Sequence, residues 1–356
     1  MNTSPAKPVV DRNIERVVRV GAEPSGAVTV SVVIATFNRP DGLSGVLRDL
    51  TRQTITAPFE VLVVDDGGDV PVSDALDESY PFALLCIRRK NGGPGQARHS
   101  GIQHAVGEIV VIVDDDMHLP SEFLDAHLAC YAQGADVVLG HIKSPADPTL
   151  PLFERFHTQA LERFVEEYER GESKPEGIRL CTGNVSFRKS AYDAVGGFDL
   201  SLKRCEDRDL GLRFEVKGYT FAFAPEAWSQ HQSDHEDVSV WRRRSRLFGE
   251  LDTKISWKHP LHVSASPWSF FPKLPLVVHP ILFGAACAPR FGSAVGASSY
   301  RLGVRVERAG RAKLAMTFAS LCYALEYFAG VGTAFGRPRS RKVFASWRAF
   351  SNLGSP

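Results

Sequence analysis

The chain has 356 residues and a formal net charge of +1, from 42 Lys and Arg against 41 Asp and Glu. This length accommodates one large domain with an appendage, or two domains, and the balanced charge argues against bulk affinity for nucleic acid. Apolar residues at 44% and charged residues at 23% are the proportions of a globular protein.

The balance conceals an asymmetry. Residues 241–356 carry 18 Lys and Arg against 4 Asp and Glu, whereas residues 1–240 carry 24 against 37. An acidic body with a basic tail points to two different partners. The six cysteines (Cys86, Cys130, Cys181, Cys205, Cys287 and Cys322) form no CxxC or other metal-ligand spacing and read as free thiols in a reducing compartment. The opening residues MNTSPAKPVVDRNIER lack the continuous apolar core of a secretory signal, so the expected location is cytoplasmic.

Residues 1–27 are polar and punctuated by Pro and Gly, and read as an N-terminal extension with a strand near Arg16–Val20. From Val28 the run VTVSVVIAT is nearly all β-branched, as in a strand buried on both faces. Residues 41–53 place Leu43, Val46, Leu47 and Leu50 at helical spacing, with Asp41 positioned to cap. FEVLVVDDG and then FALLCIR form the next two strands, and Gly95–Val106 reads as a helix. Glu108–Val113 is a fourth strand, Ser121–Gln133 a helix with Ser121 as N-cap, and Ala135–Gly140 a fifth strand. Strands alternating with helices at this spacing predict a largely parallel α/β sheet. Residues 150–171 form a charged amphipathic helix, and residues 179–224 give strand, helix and short strand. Beyond about residue 262 the chain becomes apolar, basic and rich in Gly, Pro and Ala. The expected division is therefore an extension (1–27), a catalytic domain (28–262) and a helical C-terminal region (263–356).

Four strands end in polar groups that parallel neighbours would bring to one edge of the sheet. The first delivers Thr36, Asn38 and Arg39; the second Asp65 and Asp66 with two glycines; the fourth Asp114, Asp115 and Asp116. Between them NGGPGQAR enters a helix carrying Arg98. Three adjacent acids repel one another, which costs stability unless a cation or donor groups compensate. Hard divalent cations that also hold substrate phosphates are the usual compensation, although an isolated acid run also suits a solvated, capping loop. Asp65 or Asp66 can accept from a base or ribose, and a Gly-rich turn lets backbone approach closely. Arg98 stands where a dinucleotide fingerprint requires its third glycine, which argues against a nicotinamide or flavin enzyme. Further on, Cys205-Glu206-Asp207-Arg208-Asp209 precedes an apolar helix. An Asp207 capping that helix could serve as a general base, while a plain capping cluster would explain Asp209.

Taken in order, these segments resemble the family 2 glycosyltransferases, inverting enzymes of the GT-A fold, over about Val28 to His231. SVVIATFNRPDGL is similar to the family's opening strand, VLVVDDGG to its nucleotide-contacting acidic motif, and NGGPGQARHSGI to its N-G-x-x-x-A-R-N-x-G-I helix, with His99 in place of Asn. IVDDDM is similar to the DxD motif, and TGNVSFRKSAYDAVGGFD with EDRDLGLR to the acceptor and base region. The fold implied is a Rossmann-like, mixed but mostly parallel sheet with flanking helices. The resemblance implies a nucleotide-sugar donor facing Thr36, Asn38 and Asp65 or Asp66, with Arg98 near the base or diphosphate. It implies Asp114 toward the donor sugar or ribose, Asp115 on the same side in a largely structural role, and Asp116 with Asp114 holding Mn²⁺ or Mg²⁺. Asp207, with Glu206 beside it, would deprotonate the acceptor hydroxyl, and His231 stands where some members place a further metal ligand. The implied chemistry is one in-line displacement with inversion. The absence of Q-x-x-R-W after the base implies one sugar per event rather than a polymer.

Two rivals follow from the same residues. A sugar-1-phosphate nucleotidyltransferase should open with a GxGTR-type loop where TFNRPDG stands, and a dead relative acting as an assembly partner sits poorly with intact Asp116 and Asp207. In the tail, residues 274–288 are too short and interrupted for a membrane span, and residues 312–335 are long enough but carry Glu326 in the middle. The cluster Trp241-Arg242-Arg243-Arg244-Ser245-Arg246 fits either a solvated helix face or contact with phosphate or anionic lipid. The expectation is a peripheral contact at the inner face of the cytoplasmic membrane, matching a lipid-linked or other glycan acceptor, with a packed helical subdomain as the alternative.

Overall fold

Runs of Val and Ile that leave no polar residue for solvent form the middle of a nine-stranded sheet in the computed structural model, which describes residues 13–22, 26–76, 79–144, 147, 149–231, 237–337 and 339–352. The chain falls into two compact units, one of residues 1–142 and 175–231 and the other of residues 143–174 and 232–356.

The first unit holds the sheet. Its strands are β1 (Ile14–Gly21), β2 (Val30–Thr36), β3 (Phe59–Asp65), β4 (Ala83–Arg89), β5 (Ile109–Val113), β6 (Met117–His118), β7 (Val137–Lys143), β8 (Asn184–Arg188) and β9 (Phe221–His231). The spatial order is β1-β4-β3-β2-β5-β8-β7-β9-β6. The four central strands β4, β3, β2 and β5 are parallel. β1 on β4, β8 on β5, β7 on β8 and β6 on β9 are antiparallel. The N-terminal strand therefore exists and covers the outer edge of β4, longer than the Arg16–Val20 expected.

Alternation along the central strands feeds two cores. Val32, Ile34, Val61 and Val63 pack on one face with Leu43, Val46 and Leu47 of α1 (Pro40–Leu50) and Phe123 and Leu124 of α3 (Phe123–Ala132). Val33, Leu62, Val64 and Ile112 pack on the other with Ala97 and Ile102 of α2 (Pro94–His104) and Leu210 and Phe214 of α6 (Glu206–Val216). The short α5 (Lys189–Ala194) adds Ala191 and Tyr192 to this second core. Helix starts differ from the expected caps. Arg39 precedes α1, whose first position is Pro40; Glu122 rather than Ser121 precedes α3; and Cys205, in the left-handed region at φ 61, precedes α6. Asp207 is thus the second residue of α6 and not its cap.

The second unit is helical, with α4 (Leu152–Glu169), α7 (Val238–Lys258), α8 (His279–Cys287), α9 (Pro289–Arg308), α10 (Ala312–Phe335) and α11 (Arg339–Asn352). Among the described residues α10 is the one helix long and apolar enough to cross a membrane, yet 61% of its apolar window is buried inside the protein. Residues 324–332 are buried without interruption. Helices α7 and α10 meet at backbone distance, where a Cβ on Gly330 would run into the Arg246 carbonyl.

The buried charge on α10 is compensated from α7 and α9. Glu326 is 0% exposed. Arg242 Nε donates to its Oε1 at 2.8 Å, Arg246 Nη2 to its Oε2 at 2.7 Å, and Ser293 Oγ to the same Oε2 at 2.6 Å. Two members of the arginine cluster are therefore committed to an internal carboxylate. Because an uncompensated buried charge costs about 3–5 kcal/mol, the double variant Arg242→Met, Arg246→Met should lower thermal stability more than Glu326→Gln does. Glu326→Gln removes the charge and leaves the arginines half-open to water. Thermal unfolding of both variants beside the parent checks this ordering, and the reverse ordering would refute it.

Candidate active site

The sheet register decides which side chains meet. Thr36 lies opposite Asp65, and Asp65 opposite Arg88. Val33 opposite Ile112 brings Thr36 level with Asp115 three residues further along each strand. β8 runs the other way, with Asn184 opposite Val113, so Thr182 and Gly183 arrive at the same edge.

Each acid here has its own donors. Asp65, almost fully buried, accepts from Arg88 Nη1 at 2.6 Å, Gly68 N at 2.9 Å and Val72 N at 3.3 Å. Asp66 accepts from Arg89 Nη1 at 2.8 Å, Gly92 N at 3.0 Å and Gly93 N at 2.7 Å. Both carboxylates thus tie β3 to the end of β4, Asp65 also fixing the loop after β3 and Asp66 the Gly-rich turn before α2. Asn38 adopts the left-handed region at φ 57, accepts from Asp69 N at 2.7 Å and donates to Asp69 Oδ2 at 3.1 Å. The turns after β2 and β3 are thereby fastened together.

The acid run at the end of β5 is held by two arginines. Arg98 Nη2 donates to Asp114 Oδ1 at 2.6 Å, and its Nη1 to Glu206 Oε1 at 3.1 Å. Burial works against the Arg98 charge, but Asp114 and Glu206 outweigh it and raise its pKa. Arg39 Nη1 lies 2.6 Å from Asp116 Oδ2 and 3.6 Å from Asp115 Oδ1. Asp115 is buried, and burial, with Asp116 and Asp114 adding to it, pushes its pKa up to about 6 against the hydrogen bond from Thr36 and the charge of Arg39. Gly42 gives α1 its close approach, since a Cβ there would come 2.6 Å from the Asp115 carbonyl oxygen.

Glu206 and Asp207 open α6 on the other side of Arg98. Burial first, then the neighbouring Asp207, raises the Glu206 pKa, while Arg98 opposes. Burial likewise raises Asp207, opposed by the charge and backbone N–H of Arg208 and by Arg98. The Arg208 N–H donates to Asp207 Oδ1 at 2.8 Å. A carboxylate with a raised pKa is a stronger base once ionised. The backbone of His231 pairs with Met117, the residue after Asp116, while its side chain lies outside the described residues. Among the described residues no three His, Cys, Asp or Glu side chains form a ready metal cluster.

Beneath this edge lies a buried polar chain. Tyr131 donates to Ser186 Oγ at 2.7 Å, Ser186 Oγ lies 2.9 Å from His127 Nδ1, and His127 Nε2 lies 3.0 Å from Asn184 Oδ1. Asn184 Nδ2 donates to the Ala227 carbonyl at 2.9 Å and to Ser229 Oγ at 3.0 Å. A neutral imidazole with its proton on Nε2 completes the chain. Burial lowers the His127 pKa to about 4, against the Asn184 hydrogen bond.

One guanidinium therefore brings Asp114 and Glu206 together, and Asp207 and Asp116 flank them in sequence. The sequence places Arg39 at this edge without a partner, and gives Arg88 and Arg89 no part. A strand ending in two arginines beside a parallel strand ending in two aspartates was a usable signal for the last two.

A sheet of this order, with acids at the carboxyl ends of its parallel strands and a second acid pair at a facing helix start, is the arrangement of the GT-A fold. The glycosyl transferase family 2 model matches residues 31–196, a match that supports a family 2 glycosyltransferase. The uncharacterized glycosyltransferase YwdF of Bacillus subtilis is 27% identical over 237 residues, 63% of this chain and 83% of that protein. The succinoglycan biosynthesis protein ExoM of Rhizobium meliloti is 28% identical over 238 residues, 63% and 74% of the two chains. Among solved structures, the mannosyltransferase PcManGT of Pyrobaculum calidifontis, in complex with GDP-Man and Mn²⁺, shares the fold with a TM-score of 0.58 at 18% identity, covering 89% of this chain and 88% of that one.

Two of the shifted groups, His127 and Asp115, make opposite contributions to stability against pH. His127 titrates near 6.5 when unfolded and near 4 when folded. Its contribution is complete above 6.5 and is lost as pH falls from 6.5 to 4, about 3 kcal/mol in all. Asp115 titrates near 3.8 when unfolded and near 6 when folded, so its contribution is complete below 3.8 and is lost as pH rises through 6. Between pH 7 and pH 5 in urea denaturation, His127→Gln should lose less stability than the parent and Asp115→Asn more. Identical pH dependence in all three proteins would contradict the assignment.

Proposed function

We propose that this glycosyltransferase moves one sugar from a nucleotide-sugar donor to an acceptor hydroxyl with inversion, assisted by Mn²⁺ or Mg²⁺. The observation that carries this reading is the Arg98 bridge, which holds donor-side Asp114 and base-side Glu206 on one guanidinium. Asp207, next along α6 and with a raised pKa, takes the proton of the acceptor hydroxyl as its oxygen attacks the anomeric carbon. The bond to the nucleoside diphosphate breaks on the opposite side. Arg98 keeps the acids at fixed separation while charge moves past them.

The carboxylates of Asp116 and Asp114 fit a hard divalent cation, which binds through one or two carboxylates together with substrate phosphates. The Arg39–Asp116 ion pair is in keeping with positive charge at this point. When bound, the cation neutralises charge on the departing diphosphate. The GDP-Man and Mn²⁺ of PcManGT are in keeping with this pairing. The opening turn Thr36 to Asn38, with Asp65 and Asp66 behind it, forms the wall for the nucleotide. The role of ExoM in succinoglycan biosynthesis supports a cell-surface glycan precursor, free or lipid-linked, as the acceptor. Exposed Trp257, Leu261, Leu276 and Val277 near Lys258 and Lys273 support a peripheral contact of the second unit with the inner face of the cytoplasmic membrane.

A panel of nucleotide sugars assayed for diphosphate release tests the activity. Asp207→Asn should lower turnover by about 10²–10⁴-fold while keeping donor binding, and full activity in that variant would remove Asp207 from the role of base. Co-sedimentation with vesicles containing phosphatidylglycerol, but not with pure phosphatidylcholine, is expected for the membrane contact. Equal recovery with both would exclude an anionic-lipid preference.

A further inference from the structure

The two arginines that compensate the acid run at the end of β5 are held very differently. Arg98 has a side chain only 9% exposed and is shared between two carboxylates on separate elements. It could leave only by stranding both acids, one of them buried. Arg39 has a side chain 43% exposed, and its short contact is with a single oxygen of Asp116. Its backbone is fixed: Asn38 before it is held in a left-handed turn by two hydrogen bonds to Asp69, and Pro40 after it begins α1. A long, half-exposed side chain on a fixed stem can exchange partners by rotation alone.

We propose that Arg39 is a resident counter-ion of Asp116 that a divalent cation must displace, and that the displaced guanidinium then pairs with the diphosphate of the nucleotide sugar. This role rests on the metal-dependent reading above. A guanidinium and a dication cannot share one carboxylate without like-charge repulsion, so metal arriving alone must break the Arg39–Asp116 pair and leave Arg39 without that anion. Metal arriving with a diphosphate supplies a replacement, and a planar guanidinium suits phosphate oxygens especially well. The exchange makes the two ligands cooperative, and linkage makes the cooperation reciprocal. The same pair also spares the three adjacent acids their mutual repulsion when no donor is present. Arg39 is a positioning residue here and takes no part in proton transfer.

Titration of the full chain with Mn²⁺ alone, followed by the electron paramagnetic resonance of free Mn²⁺, tests this. UDP and GDP are then added in parallel to the parent and to Arg39→Gln. The expected result is that R39Q binds Mn²⁺ alone about 10-fold more tightly than the parent, while the nucleotide-induced gain in Mn²⁺ affinity, about 10-fold or more in the parent, falls below about 3-fold. Raising salt should shrink the difference between the two proteins, because the exchanged ion pair is exposed. If R39Q binds Mn²⁺ no more tightly than the parent, or keeps the full nucleotide-induced gain, the counter-ion role is overturned. The metal reading itself stands in either case, provided that Asp116→Asn abolishes Mn²⁺ uptake. If neither parent nor variant takes up Mn²⁺ or Mg²⁺ under any condition while the parent still releases nucleoside diphosphate from its donor, the metal reading falls and the exchange falls with it.

Discussion

The arrangement of the catalytic unit depends on one buried guanidinium. Arg98 reaches from α2 to Asp114 at the end of β5 and to Glu206 at the start of α6. Without it, two carboxylates would face one another in a poorly solvated space, and the helix that carries Glu206 and Asp207 would have no ionic reason to dock against the acid run. The charge is costly to bury, and the cost is offset because two carboxylates pair with it. A lysine would not substitute, since a point charge does not present two forked pairs of donors in one plane.

The same economy recurs along the edge. Asp65 and Asp66 are matched by Arg88 and Arg89 through parallel register, and their remaining oxygens are filled by backbone N–H groups of the two glycine-rich turns. These ion pairs shape the loops and leave Asn38, Asp114 and Asp116 as the polar groups with surface open at this edge. Below them the chain from Tyr131 to Asn184 joins α3, β8 and β9 by neutral hydrogen bonds. A charged His127 would break it. The site thus has an ionic rim on a neutral polar floor, and protonation disturbs the two in opposite directions.

Much of this could be read from the chain itself. VTVSVVIAT, FEVLVVD and IVVIV admit no solvent face, and their polar ends had to lie together once the strands were parallel. What could not be read depends on geometry that only long-range packing fixes. The acid run declared a need for positive charge but not which cation would meet it. Arg39 reaches Asp116 because Asn38 turns left-handed under the hold of Asp69, and Arg98 reaches Glu206 across 108 residues of sequence. The cap of α6 was misplaced for a related reason. Cys205 takes the strained backbone position, which frees the Asp207 carboxylate from capping and leaves it accepting from Arg208. Antiparallel β8 was equally hidden, because a buried strand has the same composition in either direction.

The helical unit shows why hydropathy alone misjudges α10. Its length and apolar content match a membrane span, yet Glu326 at its centre is fully buried against Arg242, Arg246 and Ser293. In lipid those partners would have to be carried along with it, which requires α7 and α9 to enter as well, and both present many charges on their other faces. In water the same four side chains close an internal network, and the glycines that face α7 and α8 allow backbone contact that lipid would not reward more than protein does. The charge that makes α10 a poor span is therefore what pins it as the central helix of its unit. It also withdraws Arg242 and Arg246 from the pool of basic groups open to a phosphate or a membrane, so that any such contact must be made by the exposed cations elsewhere in the basic tail.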